Sequence, residues 1–451
     1  MATTQARTAT LPRPLPVLGH ALRFKRRPLE FLESLRPLGD VVTIRLGPRP
    51  VHVVNSADLI RRVLVADAHA FEGEGLLLEK VRPLIGDGLI TLRGAAHRRD
   101  RRLLQPAFHH TRIALYADVM RRLARQRAES WSDGERITAD VDMMELAMTV
   151  VGKTLFSTDL DQGAVDEVVG SMPIVLDGVR RRLLAPTGLL DKLPTRENRR
   201  FHAAIGRIHE VVDRIIADYR RTGTDHGDLV SMMLMARDEE TGEGLSDAQV
   251  RGEVLTMLAA GTQTTATTMA WALHVMSVRD DIQERAYAEI RTVLGDRDPA
   301  FADLERLAYL RRVVTETLRL YPPAWILSRR AGAEVTLGGR VLPAGATLLF
   351  SPYVVHRDPA SYPDPERFDP DRWSPERAKD IPRPAFIPFG AGARQCLGEG
   401  FAWVEASVVL ATILRRWRVR PVAGQTIRKV ALATLVPSRL DLIVERRPDA
   451  R

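Results

Sequence analysis

Cysteine is almost absent: Cys396 is the one example in 451 residues. Intrachain disulfides are therefore excluded, and so is an iron–sulfur cluster held by the protein's own thiolates, which takes several of them. Aromatic residues are also scarce, at 6% within a hydrophobic share of 45%, a content ample for a sizeable globular core. No apolar run reaches eighteen residues, and the opening stretch from Met1 to Thr10 is polar and threonine-rich. Neither a signal peptide nor a membrane anchor is expected, and no membrane partner; the expectation is a soluble cytoplasmic protein. Acidic residues are in deficit, leaving a net charge of +9 that is mostly arginine. Nothing like a zinc finger, an RNA-recognition signature or a basic heptad array accompanies that excess, so it points away from nucleic acid and towards an acidic protein partner or an anionic cofactor.

The stretch Phe389-Gly390-Ala391-Gly392-Ala393-Arg394-Gln395-Cys396-Leu397-Gly398 surrounds the lone thiol with glycines and a cation. Backbone amides and positive charge favour a thiolate, and the glycines let backbone approach a flat ligand closely. A thiolate beneath the ring of Phe389 suits a haem iron that needs a strongly donating axial ligand. A single cysteine is ordinarily a small buried hydrophobe, but here five positions match F-x-x-G-x-R-x-C-x-G: Phe389, Gly392, Arg394, Cys396 and Gly398. The pattern resembles the haem-binding loop of the cytochrome P450 family. Ala402 and Glu405 resemble the start of that family's next helix.

Upstream, Ser246 and Gln249 form a capping-box start for a helical pattern of some thirty residues, running to about Arg279. At its middle Ala260-Gly261-Thr262-Gln263-Thr264-Thr265 places a glycine and three threonine hydroxyls inside an apolar span. The threonines either bond back to helix carbonyls or bend the helix and open a groove. The segment resembles the family's oxygen-activation motif, A-G-x-[DE]-T-T, with Gln263 where an acid is usual. Carried over, Thr264 takes part in proton delivery, beside Gly261. Gln263 is no Brønsted acid near neutral pH, but it can orient a water chain.

Four further segments fit the same family. His97 and Arg101 share a helical face and match the H-x-x-x-R pair that contacts the haem propionates, followed by Gln105-Pro106-Ala107-Phe108. Arg98, Arg99 and Arg102 are then free to serve a docking surface. His109 and His110 read as structural or exposed. Glu316 and Arg319 match E-x-x-R, with Arg367 in Pro365-Glu366-Arg367-Phe368 as the third member of a buried charged network. Arg329 matches a further propionate arginine, though Arg330 beside it leaves the register open. The irregular stretch from His356 to Trp373 matches the family's meander.

The resemblance implies a mainly α-helical cytochrome P450 fold with a small β-rich region, as one domain over residues 1–451 with an extended, proline-rich lead-in at 1–20. Hairpin signals lie at Val41–Leu46 and Val51–Val54, around Gly47-Pro48-Arg49-Pro50, and Ser56 caps a helix to Ala66. Residues 111–240 read as helical, broken at Pro173, Pro186-Thr187-Gly188 and Pro194. The implied cofactor is haem b, held by Cys396 at iron and by His97, Arg101, Arg329 and Arg394 at the propionates. The implied reaction inserts one oxygen atom from O₂ into a C–H bond, with electrons from NAD(P)H through a separate ferredoxin and ferredoxin reductase, in a monomer. Leu76, Leu77, Leu78, Met257, Ala260, Trp325, Ile326, Leu432 and Leu435 are the substrate-facing candidates, nearly all apolar. Similarity to actinobacterial terpene oxygenases suggests a terpene; fatty acids, macrolides and steroids are alternatives, as are peroxide-dependent chemistry and a non-catalytic haem carrier.

Overall fold

Valine-rich segments on either side of Gly47 pair antiparallel, with Val41 opposite Val54 and Leu46 opposite Arg49. Gly47, at φ 65°, supplies the left-handed turn residue. The computed structural model in which this hairpin sits describes residues 6–71, 73–75, 82, 86–155, 162–184, 193–223 and 228–448. In chain order the elements begin β1 Thr8–Thr10, α1 Ala21–Arg26, α2 Pro28–Glu33, β2 Val41–Leu46, β3 Arg49–Val54, α3 Ala57–Arg61, β4 Gly73–Glu74, α4 Gly94–Leu104 and α5 His110–Glu129. They continue β5 Arg136–Thr138, α6 Ala139–Leu155, α7 Gln162–Leu184, α8 Arg196–Thr222, α9 Leu229–Met235, α10 Asp247–Val278, α11 Asp280–Leu294 and α12 Ala308–Leu320. The last part comprises β6 Leu327–Arg330, β7 Val335–Leu337, β8 Arg340–Leu342, β9 Thr347–Phe350, α13 Pro352–Val355, α14 Pro375–Ala378, α15 Glu399–Arg416, β10 Trp417–Pro421, β11 Lys429–Ala431, β12 Leu435–Pro437 and β13 Asp441–Arg446.

Contacts divide the chain into two compact units, each drawn from two stretches of sequence: Met1–Pro83 with Leu318–Cys396, and Leu84–Thr317 with Leu397–Arg451. The first unit holds a six-stranded sheet in the order β1-β2-β3-β9-β6-β4. Its core is apolar, built from Val41, Val54, Ile60, Leu337, Leu348 and Phe350. The lead-in is extended as expected, yet not featureless, because Thr8–Thr10 adds to the sheet edge as a strand parallel to β2. Ser56 caps α3, which gives way at Arg62–Ala66 to a π-helical turn.

The second unit is helical, with the small sheet β10-β13-β5 and the β11-β12 pair. Its axis is α10, whose capping box between Ser246 and Gln249 is formed as the sequence indicates. At 32 residues it is about 48 Å long, and α6, α8 and α15 pack along it. One expectation fails here: Pro173 lies inside α7 and does not break it. Its ring is exposed, so water is able to satisfy the carbonyl that a helix-interior proline releases. Pro194 does fall between helices, ahead of the Thr195 cap of α8, whereas Pro186, Thr187 and Gly188 lie outside the described residues.

Candidate active site

In the first unit the thiol loop is held by its own backbone. The Cys396 N–H donates to the Phe389 carbonyl at 2.9 Å, and the Gln395 N–H to that of Gly392 at 3.0 Å. Gly390 and Gly392 both sit at φ 70°, where a side chain is strained. At Gly392 space decides as well, since a Cβ would fall 2.1 Å from the carbonyl oxygen of Leu64 on the π-helical turn. Cys396 is exposed, which suits a presented ligand better than a small core hydrophobe.

Arg329 and Arg330 point to opposite faces of β6 by the alternation of a strand. Burial first, and then the Arg394 guanidinium, pull the Arg329 pKa down to about 10. Two cations brought together in this way call for an anion between them.

Arg319 is fully buried. Its guanidinium donates to the carbonyls of His356 at 2.9 Å, Pro365 at 2.7 Å and Arg367 at 3.1 Å. The Arg367 side chain, by contrast, is exposed, so it does not belong to a buried network. The buried arginine of this stretch is Arg372, 3% exposed, with its Cζ 5.8 Å from the Tyr362 ring centroid. The sequence repeats a Pro-acid-Arg-aromatic pattern at 365–368 and 370–373, and only the 3-10 turn at Pro370–Trp373 shows which copy faces inward. Glu316, on α12, is fully buried too.

His356 was not expected to matter. Its Nδ1 lies 3.2 Å from the Arg319 carbonyl and its Nε2 accepts the Ile387 N–H at 2.9 Å. A ring that donates at Nδ1 and accepts at Nε2 is neutral, and burial above all lowers its pKa to about 3. His356 thus ties the Arg319 cluster to the segment that leads into the thiol loop. Trp325 is buried, with its carbonyl accepting from the Ser351 hydroxyl at 2.6 Å, and its ring centroid is 6.4 Å from that of Phe24. It packs as core, while the adjacent Ile326 keeps partial exposure.

In the second unit α10 is buried along most of its circumference. Met257, Ala260, Gly261 and Thr264 all retain partial exposure, and their i, i+3, i+4, i+7 spacing puts them on one face. Four of the predicted site residues therefore form one stripe. Gln263, 100° around the helix from Thr264, lies off that stripe. The hydroxyls of Thr264 and Thr265 donate to the carbonyls of Ala260 at 2.7 Å and Gly261 at 3.1 Å, and α10 runs through without a break. Of the two alternatives, back-bonding is what is seen. A Thr264 oxygen whose proton is so engaged keeps its lone pairs for accepting.

His97 is buried and Arg101 half-buried on the inward face of α4, with Asp100 between them. Arg99 pairs with Asp100 at 2.8 Å, and Arg102, which stays exposed, pairs with Asp238 at 2.8 Å. His109 and His110 are exposed, as anticipated. Leu432 is half-exposed at the turn between β11 and β12, but Leu435 is fully buried, and its carbonyl accepts from the Trp271 indole at 2.8 Å. Leu435 is thus a core residue and not a surface available to substrate. Leu76, Leu77 and Leu78 lie outside the described residues.

Residues 10–442 match the family model for Cytochrome P450. The chain belongs to the cytochrome P450 family. It is 44% identical to Cyclooctatin synthase of Streptomyces melanosporofaciens over 99% of this chain and 97% of that one. It is also 44% identical to Cyclooctat-9-en-7-ol 5-monooxygenase of the same organism, over 98% and 95%. Pentalenene oxygenase of Streptomyces avermitilis is 41% identical over 97% of each chain. This cytochrome P450 is a monooxygenase whose chemistry uses haem iron, O₂ and reducing equivalents from NAD(P)H. Its residues fit that cofactor: the first unit offers an exposed thiol on a rigid loop, and beside it two arginines, Arg329 and Arg394, whose mutual repulsion an anionic propionate would relieve. Among the described residues no helix is long and apolar enough to cross a membrane.

One carboxyl of this P450, Glu253, escaped notice in the sequence, and a second, Glu405, was read there only as part of a helix. Glu253 stands on α10, fully buried, and burial raises its pKa to about 8, with the Leu89 N–H opposing and Asp100 adding to the shift. The segment around Leu89 lies tight on the helix: a Cβ at Gly88 would fall 2.3 Å from the Thr256 hydroxyl, and one at Gly252 would fall 2.6 Å from the Asp87 carbonyl. Glu405, on α15, is likewise fully buried, and neither oxygen has a hydrogen-bond partner at ordinary distance. Burial raises it well above the carboxylate range, the nearby Thr265 hydroxyl offsetting this in part. An acid inside an apolar helical run was the available signal in both cases.

Proposed function

We propose that this cytochrome P450 oxidises a terpene, inserting one oxygen atom from O₂ into a C–H bond, with electrons delivered by a separate ferredoxin and its reductase. The observation that carries the substrate class is end-to-end identity of 41–44% with three enzymes, two of them named for the olefins or olefinic alcohols they oxidise. The accessible stripe of α10 supports it, since Met257, Ala260 and Gly261 offer no charge and only Thr264 a hydroxyl. An apolar ligand loses no hydrogen bond against such a surface.

Bound, haem supplies the oxygen activation. Cys396 would ligate the iron, and His97, Arg101, Arg329 and Arg394 would neutralise the propionates. Phe389 and Gly398 would shape the loop around the sulfur. Thr264 would accept a hydrogen bond at its oxygen and so hold a proton donor in place. Gln263 has no proton to give at neutral pH, so its amide would serve only to orient water. Glu316, Arg319 and Arg372 brace the fold and take no part in chemistry.

The test is turnover of purified holoprotein with a ferredoxin, its reductase, NADPH and ¹⁸O₂ against cyclic terpene olefins and alcohols, long-chain fatty acids, macrolactones and steroids. A low-to-high-spin shift and ¹⁸O-labelled product confined to the terpenes is the expected result. Labelled product from another class alone would replace the substrate reading, and turnover with peroxide but not with reductant would replace the mechanism.

A further inference from the structure

The first acidic residue of the chain is Glu30; before it stand Arg7, Arg13, Arg23, Lys25, Arg26 and Arg27. Between these cations lies an apolar turn, Leu15-Pro16-Val17-Leu18-Gly19. Its base is closed by two backbone hydrogen bonds, from Leu15 N–H to the Gly19 carbonyl at 2.9 Å and from Gly19 N–H to the Leu15 carbonyl at 2.8 Å. The base is then fastened to β2, where the His20 N–H reaches the Arg45 carbonyl at 2.6 Å. Gly19, at φ 60°, is required there, because a Cβ would lie 2.4 Å from that same carbonyl oxygen. A rigid base holds out a tip with no polar side chain.

That tip faces water. Val17 is 86% exposed, Leu15 46%, Leu18 48%, and Leu22 on α1 36%. Val17 also sits at φ 60°, a left-handed conformation that a β-branched residue rarely adopts. The fold thus holds strain in order to present an apolar side chain outward. Arg13, Arg23, Lys25, Arg26 and Arg27 are all exposed, and among the described residues none of them forms an ion pair.

We propose that this apolar turn and the basic helix α1 form a site of peripheral association with an anionic lipid surface. Three observations favour lipid over a protein. The tip is convex, so a protein would have to supply a pocket for it. The apolar set is four side chains, against about 20–30 residues a side in a stable protein interface. The flanking charge is uniformly positive, the complement of an anionic leaflet, and a shallow insertion of apolar side chains with adjacent cations is how interfacial segments bind. The absence of a spanning segment led to the expectation of no membrane partner; surface association needs no span. The inference does not depend on which substrate the enzyme takes.

The experiment uses full-length, haem-loaded protein and sedimentation with phosphatidylcholine vesicles, alone or mixed with about one part in three of phosphatidylglycerol, a fraction that gives a negative surface potential. Partition is expected at least about tenfold stronger on the anionic vesicles, and is expected to vanish near 0.5 M salt, where screening is complete within a few Å. Val17→Asp with Leu18→Asp should weaken it by about tenfold or more, and neutralising Arg23, Lys25, Arg26 and Arg27 to Gln by about a hundredfold or more. Val17→Trp should show a blue-shifted emission on anionic vesicles alone. Unchanged thermal unfolding and an unchanged reduced carbon monoxide spectrum in every variant exclude misfolding as the cause. Equal binding to both vesicle types, or parental binding by the aspartate variant, would overturn the proposal. So would a Val17-dependent dimer in solution that ignores vesicles.

Discussion

The thiol loop and the middle of α10 both carry motif residues, yet they are held in place by different means. In the loop the backbone does the holding: two positive-φ glycines, a Cys396 to Phe389 hydrogen bond, and a Gly392 pressed against Leu64. Residue identity there follows from conformational space, so the sequence shows it openly. On α10 the backbone is an ordinary helix and side chains set the character, including a carboxyl at Glu253 whose state depends on a segment some 160 residues earlier in the chain. A site held by backbone is legible as a motif, whereas one set by side-chain burial is not.

The sharpest break of the comparison is at the sulfur. Cys396→Ser should abolish the thiolate signature of the reduced carbon monoxide complex and lower turnover by about three orders of magnitude or more; a retained signature would mean that another group ligates. Gly392→Ala adds a methyl that meets backbone and not a pliable side chain. A loss of roughly 3–5 kcal/mol, read by denaturant unfolding together with haem retention, is expected. If Gly392→Ala is as stable as the parent, the loop is not backbone-held.

His356→Ala comes next. It removes an acceptor from Ile387 N–H and a donor to the Arg319 carbonyl, for roughly 2–4 kcal/mol. The pH dependence has a definite sign. The folded ring titrates near 3 and the unfolded one near 6.5, so below about pH 6.5 the unfolded chain binds the extra proton. His356 therefore makes stability fall as pH drops from about 6.5 to about 3. The acid limb of the stability profile should flatten in His356→Ala.

Glu253 slopes the other way. Its folded pKa near 8 exceeds the unfolded value near 4.3, so the folded state holds the proton longer and stability falls as pH rises from about 4 to about 8. Glu253→Gln should gain roughly 1–3 kcal/mol at pH 8 relative to pH 5. A flat parental profile across that window would show that the carboxyl is ionised in place. The smallest effect is kinetic. Gln263→Glu should change the fraction of electrons that reach product by a few fold without moving stability, and no change in coupling would remove Gln263 from proton delivery.

The hairpin, the capped long helix and the thiol loop were readable because each follows from local rules: turn glycines, a capping box, and helical periodicity. Pro173 misled because its cost depends on exposure, which periodicity does not reveal. Arg367 and Arg372 stand in nearly identical local contexts, so choosing the buried one requires the surrounding fold.

Sequence alone determined the family, the glycine-held loop around the lone thiol and the position of the long capped helix, since these rest on residues close together in the chain with narrow conformational or chemical options. Only the tertiary structure decided that His356 is a neutral strut, that Arg372 and not Arg367 is inside, that Leu435 is core, and that burial raises the pKa of Glu253 and of Glu405. In each of those cases the deciding quantity is desolvation by residues remote in sequence, and burial belongs to the packed fold, not to the amino acid.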